Sequence, residues 1–361
     1  MMKYRVGVIG VGGVGKTHLK TLKKIDVAET IAVADIAADL AKSVATEYGL
    51  KWYTDYCEMI QKEGLDVVSI CLPHFLHCKA VCEAARMGVN ILLEKPIAIS
   101  IGEADLMISE SKKNKIKFGV VFQNRYRKTF SRLKKMVEDN KLGTLMRALL
   151  QYNTFRNKSY YRSAEWRGKW ATEGGGVLIN QGIHFIDIFQ WIIDKRPKMI
   201  FGVLDTLAHD IEVEDIATAT ILFEGGVQAA IQMSTIDHPS ISRMEIRGER
   251  GYAEVDENTL KIFYNSPSVK GEFKGAWETP SIEWEALGAE EKWDEFHEAV
   301  YRDFFESIAQ DREPFVSGEE ARKSLEIVNA FIASWYLKRP IEFPLDPRLY
   351  DGVLKDLSRM G

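Results

Sequence analysis

Residues 10–17 read GVGGVGKT and stand between the β-branched run YRVGVI and an amphipathic stretch at Val14–Lys24. A glycine-rich turn between a strand and a helix strongly constrains the fold, because it gathers backbone N–H groups and a helix N-terminus around an anion. Two phosphate-binding patterns fit these residues. Gly10, Gly12 and Gly15 supply G-x-G-x-x-G, whose glycines permit a tight turn, close approach to a pyrophosphate and close helix–strand packing. Gly10, Gly15, Lys16 and Thr17 equally supply G-x-x-x-x-G-K-T, in which the lysine would reach the β/γ-phosphates and the threonine a magnesium ion. The dinucleotide pattern also requires an acidic residue about 20 positions on, ending the second strand, to hold the ribose hydroxyls. Asp35 ends TIAVAD at that spacing and is followed by Ile36, Ala37 and Ala38, with no Arg or Lys for a 2′-phosphate. The later strands VVSICLP and NILLEKP do not end in the Asp that magnesium would need. Context therefore selects a dinucleotide site for NAD, built from Gly10, Gly12, Gly13, Val14, Gly15, Asp35 and Ile36, with a P-loop NTPase as the remoter reading.

A chain of 361 residues is longer than a single core usually holds, about 250–300 residues, so two domains are expected. From Tyr4 to Phe122, short strand-like runs alternate with helical patterns at 37–47, 77–87 and 101–114, as βαβ units do, and Ser100 with Glu103 marks a capped helix start. This predicts an α/β Rossmann domain, doubly wound on a parallel sheet, over residues 1–123. Beyond Arg125 the pattern changes to α+β over residues 124–361. A helix ending near Gly143 precedes period-2 runs at 145–155, 217–223, 227–234 and 243–248, two of them joined by Glu224-Gly225-Gly226, which predicts an antiparallel sheet. Residues 265–292 show no clear period, and amphipathic helices are expected at 293–310 and 318–337.

A net charge of −4 without a basic arm argues against nucleic acid as a partner. No apolar run approaches the roughly 18 residues of a membrane span, and the N-terminus lacks a signal-peptide pattern. Cys57, Cys71, Cys78 and Cys82 form no C-x-x-C pair and read as reduced, buried thiols, which suits a cytoplasmic location. His74 and His77 have a spacing that metals use, yet nothing completes a ligand set, so no metal is expected.

Three further segments resemble the Gfo/Idh/MocA family of NAD(P)-dependent sugar and cyclitol oxidoreductases, over nearly the whole chain: Leu72-Pro73-His74 with His77, Glu94-Lys95-Pro96, and GGGVLINQGIHFID at 174–187. The resemblance implies a second domain on an open, mostly antiparallel sheet with helices on one face. It also implies a homodimer or homotetramer formed through the sheets, and an active site between sheet and nicotinamide. By the same resemblance Leu72, Pro73, His74, His77, Glu94, Lys95, Gln123, Trp166 and Arg167 contact the cofactor, and Lys95 and His184 flank the reacting hydroxyl. The chemistry agrees, since hydride leaves a carbinol carbon only as the hydroxyl proton is taken. Asn180, His184 and Asp187 stand at i, i+4 and i+7, which predicts amide, imidazole and carboxylate in line on one face of one helix. Where the family motif often has Asp, this chain has Asn180, which orients a hydroxyl but takes no proton.

The stretch from Arg125 to Trp170 carries Arg125, Arg127, Lys128, Arg156, Lys158, Arg162, Arg167 and Lys169 interleaved with Tyr126, Tyr152, Tyr160, Tyr161 and Trp166. Lining a cleft they suit an anionic sugar, since Arg forks bind carboxylate or phosphate and aromatic faces stack on rings, and otherwise they form a solvated charged surface. Lys95, Arg125, Tyr161, Asn180, His184 and His297 are the expected substrate contacts. The phrase YYRSAEWRGKW resembles family members acting on UDP-linked amino sugars or uronates. A non-catalytic dinucleotide-binding sensor of the same fold is the alternative, and the joint presence of Lys95 and His184 argues against it.

Overall fold

The computed structural model describes residues 3–256, 258–288 and 291–360. It divides into two compact units, residues 1–123 with 292–325, and 124–291 with 326–361.

The first unit begins β1 (Tyr4–Ile9), α1 (Gly13–Leu22), β2 (Ala28–Ala34), α2 (Ala38–Tyr48), β3 (Lys51–Tyr53), α3 (Tyr56–Glu63), β4 (Val67–Ile70), α4 (His77–Arg86), β5 (Asn90–Glu94), α5 (Ile101–Lys113) and β6 (Phe118–Val121). Its six strands are all parallel in the order β3-β2-β1-β4-β5-β6. This is the doubly wound order, in which ligands bind where the winding reverses, between β1 and β4. Strands β4 and β5 are almost continuously buried, as strands covered on both faces must be. The Ser100 side chain caps α5 by accepting from the Glu103 N–H, while the Glu103 carboxylate accepts from the Ile99 N–H. Strand β3 and helix α3 escape the sequence pattern because both are short, although Asp55 caps α3 and Gly64 ends it in the left-handed region.

The second unit contains α6 (Lys128–Glu138), β7 (Leu145–Phe155), α7 (Lys158–Arg162), α8 (Ile183–Ile193), β8 (Pro197–Asp205), β9 (Ile216–Phe223), β10 (Gln228–Ser234), β11 (Ile236–Gly248), β12 (Gly251–Asp256), β13 (Thr259–Ser266) and β14 (Ser281–Gly288). The chain then forms α9 (Trp293–Ala309), in the first unit, and α10 (Gly318–Leu337), within which the unit boundary falls. Strand β15 (Ile341–Glu342) and helix α11 (Pro347–Met360) complete the second unit. Its nine-stranded sheet runs β14-β13-β12-β11-β7-β10-β9-β8-β15, antiparallel except for the β7–β10 pair.

Three expectations need correction. The second domain is not the continuous span 124–361: residues 292–325 fold with the first unit, where Tyr4 stacks on Phe305 and Val120 donates to the Val316 carbonyl. The stretch 265–292 contains β14, an edge strand exposed on both faces, so no alternation of burial marks it. All four cysteines are free, but only Cys82 is buried and the other three are half-buried. Among the described residues no helix is long and apolar enough to cross a membrane.

On the second sheet, Ile200, Leu204, Ala219, Ile221 and Ile231 face inward, whereas Phe201 and Val203 remain 46% and 58% exposed. Gly202 on β8 lies against α10 so closely that a Cβ there would stand 2.2 Å from the fully buried Phe331 ring. Gly202→Ala is therefore expected to destabilise the chain by about 1–3 kcal/mol through overpacking. Urea unfolding checks this, and an unchanged midpoint would contradict the packing described.

Candidate functional site

In the first unit the glycine turn is a cradle that side chains would fill. Gly10 has φ +83°, and a Cβ there would meet the Cys71 carbonyl oxygen at 2.5 Å; one on Gly15 would meet the Gly10 oxygen at 2.0 Å. Added Cβ atoms on Gly12 and Gly13 meet nothing within 4 Å, so the backbone at the start of α1 faces open space. Asp35 ends β2 beside it. One carboxylate oxygen accepts from the Val11 N–H at 2.9 Å and the other from the Ala37 N–H at 3.0 Å, which ties the acidic group to the turn. Each oxygen retains lone-pair capacity for a ribose hydroxyl. These residues fit a dinucleotide. Val14 is 50% and Ile36 92% exposed, at the rim. The Thr17 hydroxyl donates back to the Gly13 carbonyl, as a helical threonine does.

Glu94 and Lys95 emerge where β5 ends, at the carboxyl edge of the sheet. Lys95 is half-buried, and its backbone N–H donates to the Glu94 carboxylate at 3.1 Å. Leu72 and Pro73 are half-buried after β4, and His74 is buried with its ring 5.9 Å from that of His77. His77, expected at the cofactor, is instead a fully buried brace. Its two ring nitrogens lie 2.8 Å from the Pro96 and Leu72 carbonyl oxygens, tying the loop after β4 to the segment after β5. Burial lowers its pKa despite those carbonyls. Gln123 is buried at the end of the first segment of this unit.

Sequence reasoning missed a polar cluster under this edge. His18 of α1 is completely buried, with Nε2 at 2.9 Å from Glu94 and Nδ1 at 2.7 and 2.8 Å from the Ser69 and Tyr301 hydroxyls. Burial alone would lower the His18 pKa, but Cys71, Tyr301 and Glu94 outweigh it and hold it well above the ordinary value. Burial would likewise raise Glu94, yet His18, then Lys95 and His297, bring it down to about 2. His297, expected at the substrate, is buried on α9 with its ring 6.0 Å from His18. Position 18 looked like one residue of an amphipathic helix; its partners lie 51, 76 and 283 residues away.

The second unit arranges its candidates around Tyr160 rather than Tyr161. The Tyr160 hydroxyl accepts from the Asn180 and Gln181 amides, at 3.1 and 2.9 Å, and from Arg167. The Arg167 and Arg156 guanidiniums lie 4.3 and 5.3 Å from its ring centroid, and Arg167 also stacks on Trp166 at 4.6 Å. Tyr161, the expected substrate contact, is buried against His209 with its hydroxyl on Thr235 at 2.8 Å. Arg125 is corrected in the same way: it is 1% exposed, and its guanidinium forks onto the Asp187 carboxylate at 2.8 Å through two nitrogens. That leaves Asp187 a structural partner of Arg125.

Asn180 and His184 do not share one helix. The run 174–176 brings backbone against backbone, since a Cβ on Gly176 would stand 1.8 Å from the Glu214 carbonyl oxygen. The chain therefore turns until α8 starts at Ile183; Asn180 sits in the turn, where its amide also donates to Glu173, and His184 is half-buried in the first turn of α8. Glu214 carries this turn, accepting the Val177 N–H on its carbonyl at 3.1 Å and the Leu178 N–H on its carboxylate at 3.0 Å.

Comparison with known proteins follows the same two-part division. A family model described as an oxidoreductase family with an NAD-binding Rossmann fold matches residues 4–122. One described as the Gfo/Idh/MocA C-terminal domain matches residues 130–254. The chain is 24% identical over 348 residues to myo-inositol 2-dehydrogenase of Thermotoga maritima, covering 94% of this chain and 98% of that one. It is 29% identical over 225 residues to glucose-6-phosphate 3-dehydrogenase of Bacillus subtilis, covering 59% and 62%. The WlbA dehydrogenase of Bordetella pertussis, solved with NADH and UDP-GlcNAcA, superposes with a TM-score of 0.83 at 25% identity, over 95% of this chain and 100% of that one. These matches set the P-loop reading aside.

Glu214 gives a pH test of the second unit. Burial first, with the Glu173 charge adding to it, pushes the Glu214 carboxyl up to about 7 against the backbone N–H groups that it accepts. A carboxyl raised above its ordinary 4.5 holds its proton in the folded chain after the unfolded chain has lost it. Its contribution to stability is thus fully present below about 4.5 and is lost as pH rises through about 7. Glu214→Gln, which keeps an oxygen for Leu178, should flatten that decline in a series of thermal melts across this window. An unaltered slope would show that Glu214 does not titrate there.

Proposed function

The chain belongs to the Gfo/Idh/MocA family of oxidoreductases, and from that premise we propose that it interconverts a secondary hydroxyl and a ketone on a UDP-linked amino sugar or uronate. The observation that carries this reading is the pairing of a glycine cradle and Asp35 with a lysine at the edge of the same sheet. Bound on that cradle, NAD accepts or returns the hydride. Asp35 would hold the ribose hydroxyls, and the N–H groups at the start of α1 the pyrophosphate.

Lys95 is the proposed proton acceptor. As the carbinol C–H electron pair departs, the O–H pair becomes the second bond of the ketone and the hydroxyl proton passes to the Lys95 amine. Passing that proton on to solvent restores the Lys95 amine for the next turnover. His184 is proposed to share this proton transfer, and Asn180 to orient the hydroxyl. The Tyr160 hub turns the amide of Asn180 and two guanidiniums toward one aromatic ring, chemistry that suits a sugar with an anionic substituent. Support for a nucleotide-linked substrate comes from the similarity to the WlbA dehydrogenase, which spans both chains. The apolar side chains Met199, Phe201 and Val203 on the open face of β8 fit a homodimer or homotetramer assembled through that face.

Lys95→Met should lower turnover by roughly 10²–10⁴ with NAD(H) affinity nearly unchanged, because the dinucleotide is held by the turn and Asp35. NADH formation under saturating substrate and calorimetric titration of NADH measure the two separately. Turnover close to that of the unaltered chain would remove Lys95 from the proposed chemistry.

UDP-linked amino sugars and uronates should raise the melting temperature in the presence of NADH, increasingly as their concentration exceeds the dissociation constant, while myo-inositol and free hexoses should not. Stronger protection by a neutral polyol would reject the anionic substrate and leave the family membership intact.

A further inference from the structure

We propose that His18 is a positioning residue for Lys95: its imidazolium holds the Glu94 carboxylate and offsets its charge, so that Lys95 is not locked to Glu94 as an ammonium. This rests on the reading of Lys95 as the proton acceptor.

The geometry is built entirely within the first unit. The Glu94 carboxylate meets His18 Nε2 through Oε1 and the Lys95 backbone N–H through Oε2, and the charges of His18 and Lys95 both act to keep it ionised. His18 is oriented from its other side by Ser69 on β4 and Tyr301 on α9, whose hydroxyls are themselves joined at 2.9 Å. The titratable groups facing the pair are Cys71 after β4, Tyr301 and His297 on α9, and Lys95 on the segment of Glu94 itself.

A buried carboxylate beside a single lysine would bind that lysine as its counter-ion and raise the lysine pKa. A second cation on the far oxygen divides that attraction. The buried pair also costs desolvation that an apolar pair of the same volume would not, so its presence under the reactive lysine is better explained by what it does to the lysine than by stability. The hydrogen bond between Lys95 N–H and Glu94 adds a geometric role, since it fixes the direction in which the chain leaves β5.

The experiment is competitive acetylation of the folded, full-length protein across a pH series, with the labelling of Lys95 followed by peptide mass spectrometry. Unaltered protein, His18→Gln, Glu94→Gln and the double variant are compared, with exposed Lys20 and Lys79 as internal references. Without His18, Glu94 acts on Lys95 alone and the Lys95 midpoint should rise by about one pH unit or more; without Glu94 it should fall by a similar amount. The double variant should lie between the two, and the references should not move. Identical Lys95 midpoints in all four proteins, or single variants shifting in the same direction, would overturn the proposal. A purely structural role for His18 gives no reason for opposite shifts. If His18→Gln does not fold, as judged by circular dichroism, an unshifted midpoint in Glu94→Gln alone overturns it. Labelling requires no turnover, so opposite shifts together with near-normal turnover of Lys95→Met would uphold the charge offset and reject only the catalytic reading of Lys95.

Discussion

The first unit depends on a distance of backbone approach. A Cβ on Gly15 would stand 2.0 Å from the Gly10 carbonyl oxygen, and one on Gly10 would stand 2.5 Å from that of Cys71. With hydrogen in those places, α1 starts directly against the ends of β1 and β4, at the reversal of the sheet. The rotation of α1 is then set: Leu19 and Leu22 enter the core while His18 is driven inward onto Ser69 and Glu94. The same approach leaves Gly12 and Gly13 uncovered, so N–H groups that an ordinary turn would bury are offered to an anion. One steric condition therefore shapes the cofactor cradle and creates the buried pocket in which a charge pair is stable.

The second unit uses an equivalent device for a different purpose. Gly176 lies against the Glu214 carbonyl at a distance no side chain tolerates, and Glu214 takes up the N–H groups of the turn that follows. Helix formation is thereby delayed to Ile183. Asn180 is left on an irregular segment, where its amide can meet Tyr160 and Glu173, while His184 opens a regular helix. The buried fork of Arg125 on Asp187 anchors that helix from below. A buried ion pair contributes little net stability but is costly to break, so it specifies the register of α8 more than it strengthens it.

Local patterns in the sequence were sufficient where a residue's role depends on its neighbours along the chain. The alternation of strands and helices, the glycine turn, Asp35 at the end of β2 and the Ser100 cap are of this kind, and the structure matches each of them. Edge and short elements were not legible. Strand β14 is exposed on both faces and β3 has three residues, so neither carries a burial signal. Adjacent tyrosines show the limit most clearly: Tyr160 and Tyr161 are equivalent in composition, but opposite side-chain directions send one to Asn180 and the other to Thr235.

What the sequence determined by itself is the class of fold, the dinucleotide cradle and the likeness to a family, because glycine spacing and periodicity are properties of short segments. Tertiary structure alone decided which polar residues are partners. His18, Glu94 and Tyr301 meet through strands and helices remote from one another in the chain, and Arg125 forks onto Asp187, 62 residues on. The assignment of residues 292–325 to the first unit is of the same kind. An amphipathic helix states that it has a buried face, but the surface that buries it is chosen by shape and by charges that lie elsewhere in the sequence.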